Sequence, residues 1–383
     1  MTTLRVCVVT GTRADYGLLR PVMLGLEREE RFDLKIVATG AHLSPEFGLT
    51  VRAIEADGFV VDERVEMLLS SDSPVGVTKS LGLATLGMAD SLGRLQPDLL
   101  MVLGDRYEIL AVAQAALVAR IPVAHLSGGD VTEGAIDDAI RHAVTKLSHL
   151  HFVTNREAAR RVEQMGEDPA RVVVAGNPGL DDLVHFEPLS REELAEELGL
   201  TLRTRNVLVT YHPVTLHDED PARSFGELLA AIDDLGDDLG VVVTLPNADT
   251  SGRVLIDMAR DFANARPHVV CHDSLGQARY WSCLTRFDAV IGNSSSGLIE
   301  APVVATPAVN VGERQRGRLR SGSTIDCRPE RASILEALER ALAWQDVPVS
   351  SPYGDGHATE RILSVLGALG DAQKLLHKRF HDV

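Results

Sequence analysis

Polar residues follow two apolar runs in the first half of the sequence, at positions that suit ligand binding or proton transfer. The glycine-rich segment Gly11–Gly17 follows the first run, and Asp105 follows a later one. Glycine lets a backbone approach a ligand, and the start of a helix favours anions. A carboxylate at the end of a buried strand is partly desolvated, which raises its pKa. We therefore expect ligand contacts at Gly11, Arg13 and Asp15 and acid/base chemistry at Asp105. An Arg13–Asp15 ion pair and a helix cap by Asp105 are the plainer alternatives.

A second acidic group follows the Gly128-Gly129 pair. Asp130 is next in the sequence, and Asp137 and Asp138 begin a predicted helix whose buried stripe is Ile136, Ile140 and Val144. Asp137 with Arg141 and Asp138 with His142 are spaced to form surface pairs, and acids are favoured in a first helical turn. Surface pairing and the helix dipole account for one aspartate here but less well for three close together. Neighbouring carboxylates push their pKa values apart, as acid/base chemistry requires, so Asp130, Asp137 and Asp138 are all catalytic candidates.

The second half of the sequence carries a histidine and a serine-rich turn at similar positions. His212 precedes a proline and suits acid/base chemistry near neutral pH, although a lone histidine is usually a polar loop residue. The segment Gly292–Ala301 opens a predicted helix with three serines. Its backbone N–H groups and hydroxyls can hold a pyrophosphate, and Glu300 can accept hydrogen bonds from two ribose hydroxyls. A serine-capped helix without a ligand is the alternative.

Four arginines alternate in the segment Gly312–Arg320: Arg314, Arg316, Arg318 and Arg320. In an extended loop, alternate side chains point the same way, so one face would carry four guanidinium groups that suit phosphate oxygens. A solvated loop is the alternative. Neither a G-x-G-x-x-G segment nor a P-loop motif occurs, which disfavours a dinucleotide site and an ATP-type phosphate loop.

Predicted strands, seen as apolar runs, alternate with predicted helices along the chain. The candidate residues lie at the ends of these elements. Continuous apolar strands between helices indicate parallel sheets covered on both faces. Two such series, separated near Gly176–Pro188, predict two Rossmann-like, doubly wound domains facing a central cleft, where such folds bind ligands. We assign residues 1–178 to the first domain and 179–359 to the second. A helix over about 360–380 is expected beyond them.

Composition narrows the classes of function. The chain has 383 residues, ordinary apolar and charged fractions and a formal net charge of −17. General nucleic-acid binders and proteins of anionic membrane surfaces are usually basic, so neither partner is expected. The longest nearly unbroken apolar stretch, Ile109–Ala119, is too short to span a bilayer, and the first residues do not resemble a signal peptide. A cytosolic location is expected. The four cysteines form no metal-binding spacing and are interpreted as free thiols.

Taken together, these residues resemble the hydrolysing UDP-N-acetylglucosamine 2-epimerases of sialic-acid and legionaminic-acid biosynthesis. The resemblance covers roughly Leu4–Arg320 and rests on the motifs GTRADYG, GDRYE, HLSGGDVTEGAIDDAIRHAVTKLSH, AGNP, YHP, LPNAD, GNSSSGLIEA and GERQRGR. It implies a glycosyltransferase-B-like fold and a homodimer whose last helix packs on the first domain. It also implies nucleotide contacts at Arg13, Ser294, Ser295, Gly297, Glu300 and Arg314. Sugar-site and catalytic roles carry over to Asp105, Asp137 or Asp138, and His212, with further cleft contacts at His42 and Asn247.

One position departs from the resemblance, because several relatives have glutamate where this chain has Ser127. Asp130, three residues later, is the candidate to replace that acid/base. The implied reaction removes the proton on sugar C2, expels a nucleoside diphosphate from C1 and adds water to the resulting glycal. No cofactor and no metal are expected. A non-hydrolysing epimerase, a glycosyltransferase with the same donor and a non-catalytic nucleotide-sugar sensor are the alternatives. The sequence leaves open which 2-acetamido sugar is used and whether the nucleotide is UDP or GDP.

Overall fold

The computed structural model describes residues 3–71, 73–131, 136–213, 220–245, 252–345 and 350–382. The chain divides into two units. The first comprises Met1–Asp182 together with Tyr353–Val383, and the second comprises Leu183–Pro352. A short helix, α7 (Asp181–Val184), contains the point of division. Each unit is a parallel β-sheet with helices, so the predicted class of two doubly wound α/β domains is confirmed.

The first unit is built on a seven-stranded, all-parallel sheet. Its strands are β1 (Leu4–Thr10), β2 (Phe32–Thr39), β3 (Glu63–Val65), β4 (Leu99–Leu103), β5 (Val123–Leu126), β6 (Leu150–Val153) and β7 (Val172–Val174). Its helices are α1 (Arg13–Arg28), α2 (Val51–Ala56), α3 (Pro74–Leu95), α4 (Tyr107–Ala119), α5 (Ile136–Leu147), α6 (Arg156–Gln164) and α14 (Ala358–Ala368). The strand order across the sheet is β3-β2-β1-β4-β5-β6-β7.

The second unit has a six-stranded parallel sheet in the order β10-β9-β8-β11-β12-β13. Its strands are β8 (Arg205–Thr210), β9 (Leu239–Thr244), β10 (Val269–His272), β11 (Ala289–Gly292), β12 (Ala308–Val311) and β13 (Thr324–Cys327). Its helices are α8 (Arg191–Leu198), α9 (Pro221–Asp233), α10 (Gly252–Asn264), α11 (Gly276–Arg286), α12 (Ser296–Ile299) and α13 (Arg331–Leu342).

The strand order reverses at one place in each sheet. In the first sheet β1 lies beside β4, with Val6 opposite Leu99, and in the second β8 lies beside β11, with Val207 opposite Ala289. Such a reversal leaves a crevice outside the carboxyl ends of the two strands, because the connections leave toward opposite sides. Gly11–Asp15, Asp105, His212 and Ser294–Glu300 follow these four strands, so each unit has candidate site residues at its own reversal point. The other candidates follow neighbouring strands: His42 follows β2, Asp130 follows β5 and Arg314 follows β12.

The core of the first unit explains why its strands are apolar throughout. Val6 and Val8 of β1 pack on one face of the sheet, against α1 and α14, whereas Cys7 and Val9 pack on the other face. Both faces are covered, as is typical of parallel sheets. All four cysteines are free thiols, and burial raises the pKa of Cys283 to about 12.

The C-terminal segment differs from the helix expected over about 360–380. Helix α14 ends at Ala368, and a single 3-10 turn, Ala372–Leu376, follows. Hydrogen bonds and an ion pair, rather than helical packing, hold the rest of the tail. The Lys378 ammonium group donates to the carbonyl oxygens of Lys146 and Ser148, at 2.8 and 2.7 Å, and forms an ion pair with Glu167. Among the described residues no helix is long and apolar enough to cross a membrane.

Candidate functional site

The loop after β1 is fixed by a reciprocal cap at the start of α1. The Thr12 hydroxyl accepts a hydrogen bond from the Asp15 amide at 3.2 Å, and the Asp15 carboxylate accepts one from the Thr12 amide at 3.1 Å. Burial, then the nearby charge of Glu108, raise the pKa of Asp15 to about 6. Asp15 is thus buried in the cap, whereas Arg13 is exposed and makes no hydrogen bond or ion pair with the described residues. The loop therefore presents a cation at the reversal point, and the alternative Arg13–Asp15 pair is absent from this part of the structure.

Gly11 is required at its position because Glu108 lies against it. A Cβ atom on Gly11 would lie 2.6 Å from Glu108 Oε1, which is closer than real contacts allow. Glu108 is in the first turn of α4 and only 1% exposed, and its Oε1 accepts a 2.5 Å bond from Arg106. Sequence reasoning missed both residues. The available signal was a glutamate within the otherwise apolar α4, where an unpaired charge is costly.

Three side chains meet between the end of β4 and the start of α5. The Arg141 guanidinium is 5% exposed and forms an ion pair with Asp105, while its other amino group lies 3.4 Å from Asp138 Oδ1. The same arginine donates to the carbonyl oxygen of Asp130 at 2.6 Å. Asp105 thus pairs with Arg141 rather than capping α4 with its side chain, and two candidate acids converge on one buried arginine. Arg141 had been considered only as a surface partner.

Helix α5 differs in part from the prediction in its buried face. Ile136 is 72% exposed, whereas Arg141, Val144 and Thr145 form the buried face. Of the expected stripe, Val144 is buried and Ile140 packs partly buried against the same core, so the prediction is wrong only at Ile136. Arg141, paired with Asp105, shares the buried face instead. Asp137 lies in the first turn, as predicted, and makes no hydrogen bond or ion pair with the described residues. Asp138 instead pairs with Arg141 and with His142, whose Nε2 is 3.4 Å from Asp138 Oδ2.

Asp130 is held by the loop after β6. Its Oδ1 accepts a 2.8 Å bond from the Thr154 hydroxyl and a 3.4 Å bond from the Asn155 amide. Ser127 adopts a left-handed backbone conformation with φ of 63° and begins the turn that places Asp130 there. Asp130 therefore ties the turn to β6, and its carbonyl group accepts from the same Arg141 that pairs with Asp105 and Asp138.

The two less secure cleft contacts have different outcomes. His42 is fully buried, its ring nitrogens lie 2.9 Å from the Thr10 hydroxyl and 2.8 Å from the Thr50 hydroxyl, and burial lowers its pKa to about 4. It supports the end of β1 as a neutral ring whose polar atoms are already engaged. Asn247 lies outside the described residues. Nowhere in the described ranges are three or more metal-ligating side chains grouped to hold an ion.

The reversal point of the second unit is organised by Asn293, which sequence reasoning placed in a motif but not among the site residues. Its side-chain oxygen accepts from the His212 amide at 2.7 Å, and its side-chain nitrogen donates to the His212 carbonyl oxygen at 2.8 Å. The preceding residue must be glycine, since a Cβ atom on Gly292 would lie 1.9 Å from the Thr210 carbonyl oxygen. This close approach joins the ends of β8 and β11 and fixes the backbone at His212.

The segment Gly312–Arg320 also contacts Asn293. The Asn293 carbonyl oxygen accepts from Arg314 at 2.9 Å and from Gln315 at 2.8 Å, so His212 and Arg314 are brought to one residue. The predicted extended loop with four arginines on one face is wrong. The segment is a series of turns with positive φ at Gly312 and Gly317, in which Arg316 pairs with Glu313 and Arg320 with Asp326.

The serine-rich turn is more compact than expected. Helix α12 is a single turn, Ser296–Ile299, and a 3-10 turn follows at once, so its dipole is smaller than that of a long helix. Ser294 Oγ accepts from the Ser296 amide at 3.3 Å, and Ser294 and Ser295 remain half-exposed. Gly297 is buried against β12, and Glu300 ends the turn. The exposed hydroxyls therefore lie beside Asn293, while Gly297 serves packing.

Arg314→Ala is expected to weaken the binding of a nucleoside diphosphate by about 10- to 100-fold. The change removes a charge-assisted contact worth about 1.5–3 kcal/mol, while the neighbouring Gln315 still holds the Asn293 carbonyl group. Titration calorimetry with UDP and GDP measures this, with the exposed Arg316→Ala as matched control. Equal affinities in the Arg314 variant and the parent protein would remove Arg314 from the binding site.

Several known proteins are similar to this chain. Residues 25–367 match the family model for UDP-N-acetylglucosamine 2-epimerases. The chain belongs to this family. It is 38% identical over 327 residues to the GDP/UDP-N,N'-diacetylbacillosamine 2-epimerase (hydrolyzing) of Campylobacter jejuni, which covers 85% of each chain. It is 35% identical to the UDP-N,N'-diacetylbacillosamine 2-epimerase (hydrolyzing) of Legionella pneumophila, with 98% of both chains covered.

Solved structures of the epimerase family share the fold. A UDP-GlcNAc 2-epimerase from Neisseria meningitidis, crystallised with UDP-GlcNAc, aligns with a TM-score of 0.77 and 18% identity over 96% of this chain and all of the other. The aligned residues include both units. Identity at this level establishes the fold and leaves the substrate to be argued from the site.

Proposed function

We propose that this epimerase-family chain hydrolyses a nucleotide-activated 2-acetamido sugar to the free sugar with inverted C2, releasing nucleoside diphosphate. The observation that carries the proposal is the group formed by Asp105, Arg141 and Asp138, with Asp137 on the same helical turn. A phosphate-binding site needs cations. This group of acidic side chains is therefore better suited to proton transfer. The two relatives from Campylobacter jejuni and Legionella pneumophila, both named as hydrolysing 2-epimerases, are matched over 85% and 98% of their length and support the same reaction.

The proposed reaction balances as an elimination followed by hydration. A carboxylate removes the proton from C2, the electron pair forms the C1–C2 double bond, and the C1–oxygen bond to the diphosphate breaks. Water then adds its hydroxyl group to C1 of the glycal, and C2 receives a proton on the opposite face. The net change consumes one water molecule for each nucleotide sugar. We assign Asp137 as the acid/base at C2 and Asp105, steadied by Arg141, as the second carboxylate.

We assign the leaving group to the second unit. Arg314, Ser294 and Ser295 lie around Asn293 and would hold the diphosphate. His212 would donate a proton as the phosphate oxygen leaves, since its backbone is fixed by Asn293. Glu300 would accept the ribose hydroxyls. Charge stabilisation of a departing diphosphate is a large component of such catalysis.

The substrate we favour is a diacetamido-trideoxy sugar carried on UDP or GDP, as used in the synthesis of sialic-acid-like sugars. The names of the two reported relatives support this choice. Incubation with UDP-N-acetylglucosamine and with the UDP- and GDP-linked diacetamido sugars, without any acceptor, tests it. We expect free C2-inverted sugar and nucleoside diphosphate in equal amounts. A nucleotide-linked epimer would indicate a non-hydrolysing enzyme, no release without an acceptor a glycosyltransferase, and tight binding without turnover a sensor.

We also propose that the chain forms a homodimer through α3. Val75, Leu83 and Leu86 are 64%, 41% and 70% exposed, and their spacing places them along one side of the helix. Grouped apolar side chains on a surface mark association sites. Light scattering should give twice the mass of the 383-residue chain, and Leu86→Glu should shift it toward the monomer. A monomeric parent protein would contradict the proposal.

A further inference from the structure

Glu300 has a partner that its motif does not reveal. The indole Nε1 of Trp281, on α11, donates a hydrogen bond to Glu300 Oε1 at 2.9 Å. Trp281 is only 6% exposed, whereas Glu300 is half-exposed at the end of α12. Among the described residues this is the one hydrogen bond found for the Glu300 carboxylate. One carboxylate oxygen is thus held from the protein interior, and the group still reaches the surface.

The surroundings of Trp281 make the indole a rigid donor. The ring packs edge-to-face against Phe186, with ring centroids 5.4 Å apart and an angle of 72° between the planes. The hydroxyl group of the adjacent Tyr280 is buried, and burial together with the charge of Glu300 raises the pKa of Tyr280 to about 12. Tyr280 therefore stays neutral beside the carboxylate. Because indole only donates, its bond fixes which oxygen of Glu300 faces inward.

We propose that Trp281 is a positioning residue that orients Glu300 for the ribose of the nucleotide. This inference rests on the proposed function, which assigns the ribose hydroxyls to Glu300. A carboxylate that accepts hydrogen bonds from two adjacent hydroxyls must keep a fixed orientation. If the carboxylate rotates freely before binding, the entropy cost of fixing it lowers the affinity for the nucleotide. Trp281 removes that freedom in advance. Its consequence is selectivity for ribonucleotides over 2'-deoxyribonucleotides, because the second hydroxyl contributes only when the carboxylate is aligned.

Selectivity provides a test that a packing defect would not imitate. Titration calorimetry would measure the Kd of UDP and of 2'-deoxy-UDP, or of the guanine pair if only GDP-sugars are turned over. A hydrogen bond to a charged acceptor predicts that the parent protein prefers the ribonucleotide by about 10-fold or more. Trp281→Phe keeps an aromatic ring against Phe186 but removes the N–H group. We expect it to reduce the preference several-fold while the affinity for the deoxynucleotide changes little.

Two controls accompany this variant. Trp344→Phe makes the same change at the other tryptophan of the chain and should keep the full preference. Glu300→Gln should abolish the preference, since it removes the charge that the hydroxyls contact. If Trp281→Phe does not fold, Trp281→Met, which also has no side-chain hydrogen-bond donor, takes its place.

Several outcomes would overturn the inference. Unchanged preference in the Trp281 variant, with loss in Glu300→Gln, would make Trp281 a packing residue. Equal weakening of both nucleotides would give the same conclusion. Unchanged preference in Glu300→Gln would remove the ribose contact itself. The proposed function is tested separately by turnover of the parent protein, so an active parent with a failed selectivity test refutes only the role of Trp281.

Discussion

Asp137→Asn is expected to lower kcat by about 10²- to 10⁴-fold, the range usual for loss of a general acid/base. Asp137 lies in the first turn of α5 and has no hydrogen bond or ion pair within the described residues, so its carboxylate is not committed to holding the fold. Asparagine has nearly the same shape but cannot accept the C2 proton. Steady-state release of nucleoside diphosphate measures the loss, and titration calorimetry confirms that the nucleotide still binds.

Asp138→Asn is the matched control for this prediction, because it makes the same change one residue later. Asp138 contacts Arg141 and His142, both at 3.4 Å, and is 30% exposed as a side chain. Loss of such a partly exposed pair costs about 0–1 kcal/mol, so kcat should fall less than about 10-fold. If Asp138→Asn is the inactive variant and Asp137→Asn is active, the two roles are exchanged and our assignment is wrong.

His212→Ala is expected to reduce kcat by about 10²- to 10⁴-fold, with a much smaller change in the affinity for nucleoside diphosphate. The backbone at His212 is held by two hydrogen bonds from the Asn293 side chain, which the substitution leaves in place. The variant should therefore keep the loop that binds the diphosphate and lose only the proton donor. Single-turnover and steady-state rates, compared with calorimetric affinities, separate the two effects.

His357→Ala is a suitable control for the histidine variant. His357 is exposed and lies at the start of α14, with its Nδ1 3.6 Å from Glu360 Oε2. It does not follow any of the four strands at the reversal points. Its replacement should leave kcat within about two-fold of the parent value, as surface changes usually have small effects. A His212 variant with near-parental kcat would leave His212 as a structural loop residue.

Much of the fold could be predicted because its central strands are continuous apolar runs. The apolar runs Leu99–Leu103 and Ala308–Val311 form β4 and β12 over their full length. The strands Leu150–Val153, Val172–Val174 and Thr324–Cys327 were not predicted. They are short, and two of them contain polar residues. His151 in the first is buried only because Glu167, from beyond the next helix, lies 3.0 Å from its ring. Such compensation depends on the tertiary structure and leaves no local pattern.

The candidate site shows the same limit. Helical spacing correctly placed Asp137 and Asp138 in a first turn, and it indicated an Asp137–Arg141 pair. The structure instead pairs Arg141 with Asp138 and with Asp105, 36 residues away. A buried partner outweighs a solvent-exposed one, so Arg141 lies on the buried face of the helix while Ile136 is exposed. The Asn293 bridge to His212 joins a side chain to a backbone 81 residues away, which spacing cannot indicate.

The proposed elimination makes one direct demand on the product. When the reaction is run in D₂O with the nucleotide sugar that supports turnover, C2 of the released sugar should carry one deuterium, and the sugar should be free of nucleotide. NMR of the sugar and chromatography of the nucleotide, on the same sample, measure both features. A simple hydrolase would leave the original hydrogen on C2, and a non-hydrolysing epimerase would return a nucleotide-linked product. Free, C2-inverted and C2-deuterated sugar with one equivalent of nucleoside diphosphate is the result we predict. Protium fully retained at C2, or a product still linked to the nucleotide, would contradict the account.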